Sequence, residues 1–235
     1  MKTTVSIPGS KSYTNRALFL ASMSQGSVKI INPLVSDDTT AMINCLRKLG
    51  ITIIVENNVI KIENNITAAK NVLYDLDANE SGTTIRFMLA LSAIIPGVKT
   101  LYGKASLNSR PVGGLVEGLK QLGAKIEYLG KIGYPPLRIL SSKLYPGTIK
   151  IKGSVSSQYI SALLMVAPLV GKITIEVTGD QVSKPYIDMT VDIMEKFGVK
   201  VKNVTAKKYL ISANQKYRTK EYPVEGDLSS AGYFL

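Results

Sequence analysis

The sequence predicts an α/β (α+β) fold of three similar units around a pseudo-threefold axis, each with the element order βαβαββ. Two series of glycines carry this prediction. One series follows basic amphipathic segments at nearly equal intervals: Gly50, Gly123 and Gly198. The other follows more apolar segments, again at nearly equal intervals: Gly26, Gly97 and Gly171. Since three unrelated segments rarely share two such spacings, we interpret the chain as a repeat.

The first helix of each unit is expected at residues 14–24, 82–95 and 157–169. These segments are apolar on most faces, as residues 87–91 and 160–165 show, and such helices are typically buried. A strand is expected after each of them, at residues 27–31, 98–102 and 172–177. The sequence therefore predicts helices inside and mixed sheets outside.

The second helix of each unit is expected to end at the other glycine series. Basic residues in its last turn suit the negative end of the helix dipole, and glycine readily takes the left-handed position after the last turn. An alternating strand follows each glycine, and a further strand is expected at residues 59–62, 137–140 and 209–212. Leading strands are expected at residues 73–76 and 148–152, in front of units two and three only.

Small hydroxyl residues and glycines collect where each first helix begins, at residues 8–16, 79–86 and 153–158. Free N–H groups at a helix start bind anions. Serine and threonine are also common helix caps, so for each segment alone capping is the simpler explanation. Their equivalent places in three repeats favour convergence on one phosphate-rich site.

Composition limits the chemistry. The 235 residues are 45% hydrophobic and 20% charged, which is typical of a globular protein, and 29 Lys+Arg against 17 Asp+Glu give a charge of +12 that favours anionic partners. The absence of histidine excludes Ser-His-Asp and Cys-His catalysis and histidine metal ligands within this sequence. The single cysteine, Cys45, excludes an internal disulfide and is expected in the core.

Three further features narrow the function. Residues 9–12 read Gly-Ser-Lys-Ser, but Thr4 stands where a nucleotide-binding P-loop would have its first glycine, so we reject a P-loop. The N-terminus has no apolar segment typical of a secretion signal. The apolar stretches 87–98 and 159–170 are shorter than the roughly 20 residues that cross a bilayer. We expect a soluble, cytoplasmic protein that does not bind membranes. Nucleic acid is not expected as a partner either, because the sequence has no aromatic-rich strand motif for base stacking.

Several motifs in order give the chain a resemblance to the 5-enolpyruvylshikimate-3-phosphate synthase family, also called 3-phosphoshikimate 1-carboxyvinyltransferases. The motifs are the segment 8–18, Gly82-Thr83 with Arg86, Arg110-Pro111, the segment 156–159 with 162–165, the segment 183–190, and Glu225-Gly226-Asp227 with 229–231. They extend over the whole chain. The family's domains each contain three βαβαββ units, so the resemblance implies one domain of the enolpyruvyl transferase fold.

The resemblance implies transfer of the enolpyruvyl group of phosphoenolpyruvate to the 5-hydroxyl of shikimate 3-phosphate, with release of phosphate and without a cofactor or metal. It implies a catalytic role for Lys11 between the two substrates. The implied ligands of shikimate 3-phosphate are Lys11, Ser12, Arg16, Ser156, Ser157, Gln158, Ser183 and Tyr186. The implied ligands of phosphoenolpyruvate are Lys11, Gly82, Arg110 and Gln158. Arg86 and Asp188 are expected to be structural. Glu80, where many members have asparagine, is not expected to be a ligand.

Members of the family are much longer than this chain and have two similar domains, so the resemblance implies that the chain is the N-terminal half. Residues 1–9 would hold a strand of the C-terminal domain, at 3–7. Residues 10–222 would form the substrate-binding domain, with repeats at about 10–70, 71–145 and 146–222. Residues 223–235 would cross to the other domain and begin it. The chain alone is then expected to be inactive, with the C-terminal half as its partner.

Three alternatives stay open at this point. A sibling enzyme transfers enolpyruvate to UDP-N-acetylglucosamine, but it usually carries a cysteine shortly before the Arg-Pro motif, and residues 103–110 have none. Related units also occur in RNA-processing proteins, and the charge of +12 suits a phosphate backbone, although no aromatic-rich strand motif is present. A remnant that binds ligand without chemistry is the third alternative.

Overall fold

The structure, a computed structural model, describes residues 7–140 and 143–227. The strand expected at 3–7, apart from residue 7, and the motif at 229–231 lie outside the described residues. The helices are α1 Lys11–Met23, α2 Asp37–Lys48, α3 Gly82–Ser92, α4 Ala105–Asn108, α5 Gly113–Lys120, α6 Ser157–Val170 and α7 Lys184–Lys196. The strands are β1 Val28–Ile31, β2 Ile53–Glu56, β3 Val59–Ile62, β4 Leu73–Asp77, β5 Val98–Tyr102, β6 Lys125–Tyr128, β7 Leu137–Leu140, β8 Gly147–Lys152, β9 Ile173–Thr178, β10 Val201–Thr205, β11 Lys208–Ile211 and β12 Glu221–Pro223.

Three four-stranded sheets share one strand order. They run β12-β1-β3-β2, β4-β5-β7-β6 and β8-β9-β11-β10. In each sheet the first pair is parallel and the other two pairs are antiparallel. The predicted fold class, three βαβαββ units, is therefore confirmed.

The sheet of the first unit is completed from the other end of the chain. Leading strands were predicted for units two and three alone, whereas here β12 pairs in parallel with β1, Lys29 opposite Glu221. A three-residue strand that ends in proline has no recognisable alternation, which is why the pattern missed it. The units thus close into a ring in which β12 takes the place of β4 and β8.

The first helix of each unit lies inside, as predicted. In α1, every side chain from Thr14 to Met23 is buried, and α3 and α6 are buried along nearly their whole length. The rings of Phe19 in α1 and Phe87 in α3 lie 5.3 Å apart. Cys45 also lies in the core, as expected. Strands such as β5 alternate between more and less buried side chains, so the sheets cover this helical core.

The glycines that end α2, α5 and α7 adopt the left-handed conformation that the sequence predicts. Their φ angles are 90°, 98° and 88° at Gly50, Gly123 and Gly198. The strands β2, β6 and β10 follow them; β6 alternates between exposed and buried side chains as predicted, whereas β2 and β10 do not. A short helix, α4, and a 3₁₀ turn at Ile66–Ala68 were not predicted. Helix α1 begins at Lys11, earlier than expected.

Two segments near the ends of the described chain lie side by side. Gly9 and Gly226 form an antiparallel bridge, the Ser10 N–H donates to the Glu225 carbonyl at 2.9 Å, and the Asp227 N–H donates to the Pro8 carbonyl at 2.9 Å. A Cβ on residue 9 would lie 2.0 Å from the Asn32 carbonyl oxygen, so only glycine fits there. This pairing fixes where α1 begins.

Among the helices of the described ranges, none has the length and apolar character needed to cross a membrane.

Candidate functional site

One cavity of about 720 Å³ lies where the first turns of α1, α3, α6 and α7 meet. All ten residues that the resemblance implies as substrate ligands line it. They are Lys11, Ser12, Arg16, Gly82, Arg110, Ser156, Ser157, Gln158, Ser183 and Tyr186. The structure brings them together from all three units, although their roles toward a ligand stay predictions. Val155 and Val182 add apolar side chains to the lining.

The helix starts are capped unequally. The Ser81 hydroxyl accepts from the Thr84 N–H at 3.1 Å, and the Ser156 hydroxyl accepts from the Gln158 N–H at 3.2 Å. Capping therefore explains these two serines at least in part. At α1, the Ser10 side chain makes no capping bond. A serine side chain thus accepts a hydrogen bond from a backbone N–H at the starts of α3 and α6, whereas the Ser10 side chain accepts none at the start of α1.

Ser183 precedes α7 in a backbone conformation that is unusual for serine. Its φ and ψ are 54° and 41°, in the left-handed region, and its side chain makes no capping bond. A non-glycine residue in this region is strained, and such strain often marks a functional position. Ser183 is exposed and lines the cavity. Its hydroxyl therefore does not serve as a helix cap and can face a ligand.

Arg16 is a buried cation that the protein itself holds. Its side chain is 2% exposed, and burial lowers the pKa of Arg16 to about 10. Nε donates to the Thr190 hydroxyl at 2.7 Å, and Nη2 donates to the Ser161 hydroxyl and the Tyr186 carbonyl. Nη1 donates to the Ser12 carbonyl at 3.2 Å. Among the described residues no carboxylate pairs with Arg16, and these bonds leave one Nη1 N–H to face a ligand.

Lys11, by contrast, is half exposed. Its ammonium lies 3.0 Å from the Asp38 carboxylate, at the start of α2. An exposed pair of this kind contributes little to stability and is easily exchanged for another anion. Lys11 therefore has a resting partner and the freedom to leave it, which suits a mobile cation. No sequence pattern indicated Asp38, because the two residues are 27 positions apart.

Gly82 lies between two guanidinium groups. A Cβ on this residue would lie 3.1 Å from Nη1 of Arg86 and 3.2 Å from Nη1 of Arg110. The Arg110 side chain is exposed and makes no hydrogen bond or ion pair within the described part of the chain. Two cations thus flank the start of α3, where a helix already favours negative charge.

Arg86 belongs to the lining of the cavity, whereas the sequence predicted only a structural role for it. Its Nη1 donates to the Gln158 side-chain oxygen at 2.5 Å. Its place four residues after Gly82, on the same helix face, is a signal that could have shown this. Asp188 does not line the cavity, and its carboxylate accepts from Lys184 at 2.6 Å in an exposed ion pair.

Glu80 lines the cavity but accepts a hydrogen bond from the Ser106 hydroxyl at 3.3 Å, at the first turn of α4. This contact ties the carboxylate to the short helix that precedes Arg110.

Comparisons with known proteins agree with one another. A sequence model of EPSP synthase (3-phosphoshikimate 1-carboxyvinyltransferase) matches residues 1–235. The 3-phosphoshikimate 1-carboxyvinyltransferase of Aliivibrio fischeri is 43% identical over 238 residues, which cover 98% of this chain and 55% of the relative. That of Sulfurovum sp. is 41% identical at the same coverage. The chain thus spans about half the length of the curated relatives it matches. The solved EPSP synthase of Acinetobacter baumannii shares the fold, with a TM-score of 0.85 at 22% identity over 98% of this chain and 52% of that one.

Proposed function

Because the chain belongs to the EPSP synthase family, we propose that it carries the shikimate 3-phosphate-binding half of a 3-phosphoshikimate 1-carboxyvinyltransferase. The reaction forms a bond between the 5-hydroxyl oxygen of shikimate 3-phosphate and C2 of phosphoenolpyruvate. The bond from C2 to the phosphate oxygen then breaks, which gives an enolpyruvyl ether and inorganic phosphate. The observation that carries the proposal is the convergence of ten implied ligands from three repeats on one cavity.

The charges of the cavity suit these substrates, which both carry a phosphate and a carboxylate. Arg16 and the hydroxyls of Ser156, Ser157 and Ser183 would hold shikimate 3-phosphate. Arg110, beside Gly82, would hold the phosphate of phosphoenolpyruvate. Charge-assisted hydrogen bonds of this kind are about twice as strong as neutral ones, and they need neither metal nor cofactor.

Lys11 would lie between the two substrates and exchange Asp38 for them. The acid-base work of the reaction is to take the proton from the 5-hydroxyl and to protonate C3 of phosphoenolpyruvate as that oxygen attacks C2, and later to remove a proton from C3 as phosphate leaves. A flexible ammonium group at the cavity can take part in both transfers at C3. Gln158 would reach toward both substrates as a hydrogen-bond donor.

We further propose that residues 10–222 form one domain, that residues 1–9 and 223–235 belong to the connection with a second domain, and that the catalytic site is shared between the two. Closure of the two domains around the substrates would exclude water. On this proposal the chain binds shikimate 3-phosphate but does not turn over alone. A polypeptide matching the remaining part of a relative would supply the missing charges.

Calorimetry can test the ligand. The purified chain is titrated with shikimate 3-phosphate, UDP-N-acetylglucosamine and single-stranded RNA. We expect heat from shikimate 3-phosphate alone, with the same affinity in an Arg138→Ala control, because Arg138 lies on β7 away from the cavity. Binding of the nucleotide sugar instead would favour the sibling enzyme, and binding of RNA alone would overturn the proposal.

A phosphate-release assay tests whether the catalytic site is shared between the two domains. The chain is supplied with both substrates, alone and then mixed with a polypeptide that matches the remaining part of the Aliivibrio fischeri relative. We expect turnover in the mixture only. Turnover by the chain alone would contradict the shared site, and no turnover in a mixture whose parts demonstrably associate would contradict the proposed activity.

A further inference from the structure

We propose that Arg86 is a positioning residue: it fixes the side-chain amide of Gln158 so that the N–H, and not the carbonyl, faces the anions in the cavity. The inference rests on the proposed function for the identity of those anions. It goes beyond the ligands that the family resemblance implies, among which Arg86 does not stand.

The Arg86 guanidinium joins three segments of the site. Nη1 donates to the Gln158 Oε1 at 2.5 Å and to the Gly82 carbonyl at 3.2 Å, and Nη2 donates to the Pro111 carbonyl at 3.4 Å. The guanidinium carbon, Cζ, also lies 5.6 Å from the ring centre of Tyr159, whose hydroxyl donates to the same Pro111 carbonyl. Arg86 is therefore held in one place by neighbours from α3, α6 and the segment before α5.

The two ends of the Gln158 amide have different partners. A guanidinium group can only donate, so the end that meets Arg86 must be the carbonyl oxygen. The other end, Nε2, donates to the Thr83 hydroxyl oxygen at 3.0 Å. A flipped amide would place its NH₂ group against the donors of Arg86. The two contacts together thus determine which end of the amide is which.

The fixed amide has one N–H that can donate to a ligand. Nε2 carries two N–H bonds, and only the one to Thr83 is used within the described residues. The other can donate into the cavity that Gln158 lines. Phosphate and carboxylate oxygens accept hydrogen bonds, so an amide that presented its carbonyl would repel them. Without Arg86, Gln158 would lose the partner that prevents this orientation.

Arg86 differs from Arg110 in this respect. Both lie near Gly82, but three of the four terminal N–H groups of Arg86 donate to protein acceptors, while Arg110 makes no side-chain hydrogen bond within the described residues. Among those residues no carboxylate forms an ion pair with Arg86 either. An arginine whose main effect is through Gln158 should therefore lose its influence when Gln158 is removed.

A double-mutant cycle tests this dependence. The affinity for shikimate 3-phosphate is measured by calorimetry in the parent, Arg86→Met, Gln158→Ala and the double variant, with Arg138→Met as a control for the loss of one positive charge. We expect about a tenfold weaker affinity in each single variant of the site, and less than a further threefold loss on adding Arg86→Met to Gln158→Ala. Full additivity, or an unchanged affinity in a folded Arg86→Met variant, would overturn the proposal.

A Gln158→Glu variant separates positioning from folding. A carboxylate can accept from both Arg86 and the Thr83 hydroxyl, so we expect a melting temperature at least equal to that of the parent. The affinity for shikimate 3-phosphate should nevertheless fall at least tenfold, because the donor is gone. An affinity equal to that of the parent would show that Gln158 need not donate, and would overturn the proposal.

A spectroscopic measurement keeps the inference independent of the ligand. The sequence has five glutamines, so ¹⁵N labelling of glutamine gives few side-chain NH₂ signals, and the Gln158→Ala spectrum identifies the relevant pair. We expect that pair to be shifted from the free-amide position in the parent and to move toward it in Arg86→Met. If shikimate 3-phosphate fails to bind but the signals behave so, the proposed function fails and the positioning contact stands. Signals that do not change in Arg86→Met would overturn the contact itself.

Discussion

Arg16 and Arg110 both line the cavity, but they are held in very different ways. Arg16, on the side built by α1, α6 and α7, is buried and donates four hydrogen bonds to protein acceptors. Arg110, beside Gly82 at the start of α3, is exposed and makes no side-chain hydrogen bond within the described residues. We call the surroundings of Arg16 the buried side and those of Arg110 the open side. Arg16 is organised before any ligand binds, so ordering it costs little, whereas a ligand that bound Arg110 would have to order that side chain.

The largest effect on stability and affinity is expected from Arg16→Ala, which removes the side chain that links α1, α6 and α7 on the buried side. It would remove the four hydrogen bonds that Arg16 donates, leave the Thr190 hydroxyl as the remaining donor toward Ser161 and Tyr186, and open a cavity between helices. We expect the free energy of unfolding to fall by about 2–4 kcal/mol, together with at least a tenfold weaker affinity for shikimate 3-phosphate. Denaturant unfolding and calorimetry measure the two losses. A fully stable Arg16→Ala variant would show that the buried side is not held by this residue.

Arg110→Ala is the matching change on the open side. Because its side chain bonds to nothing in the described protein, the free energy of unfolding should stay within about 0.5 kcal/mol of the parent. The affinity for phosphoenolpyruvate, measured with saturating shikimate 3-phosphate present, should fall about tenfold, since a charge-assisted contact is lost. If the stability falls as far as in Arg16→Ala, the contrast between the two sides is wrong.

Gly82→Ala tests how closely the open side is fitted to its ligand. The added Cβ would lie 3.1 Å from the end of Arg86 and 3.2 Å from that of Arg110. The exposed Arg110 side chain can move away, and Arg86, which is held by Gln158 and Pro111, has to shift by a few tenths of an ångström. Alanine also favours helix more than glycine does. We expect unchanged or slightly higher thermal stability and a several-fold weaker affinity for phosphoenolpyruvate. An unchanged affinity in a correctly folded variant would show that the guanidinium positions are not critical.

The smallest effect is expected at Ser183, where the buried side meets solvent. Ser183→Gly relieves the left-handed strain, but glycine loses more backbone entropy on folding, so a net gain of only a few tenths of a kcal/mol is expected. Ser183→Ala keeps the strain and removes the hydroxyl. Both variants should bind shikimate 3-phosphate a few-fold more weakly in calorimetry. Equal affinity in the parent and Ser183→Ala would remove this hydroxyl from the proposed site.

Local elements could be predicted well from the sequence, because each carries its own pattern. The strands β3 and β7 have the bounds that alternation predicted, and the glycine at the end of α5 has the conformation that a helix end predicts. The strand β12 was missed because its three residues gain their structure from a partner almost 200 positions away. Pairing of that kind depends on the tertiary fold and has no local period.

In the site too, the residues could be predicted from local motifs, whereas their contacts depend on the tertiary fold. Motif resemblance named ten residues, and the structure places all of them around one cavity. The motif resemblance could not show that Arg16 is largely bonded to protein acceptors, or that Arg86 donates to Gln158, which lies 72 positions away in the sequence. Those facts depend on side chains from different units that meet only when the ring of sheets has closed.

The antiparallel bridge between Gly9 and Gly226 has a consequence for engineering. Since the chain enters and leaves the three-sheet body through neighbouring, hydrogen-bonded segments, a short turn could join Asp227 to Pro8. New termini could then be opened in the exposed loop around Gly130, between β6 and β7. Such a circular permutant would keep every sheet, and it would turn the strand that now comes last into a close sequence neighbour of α1.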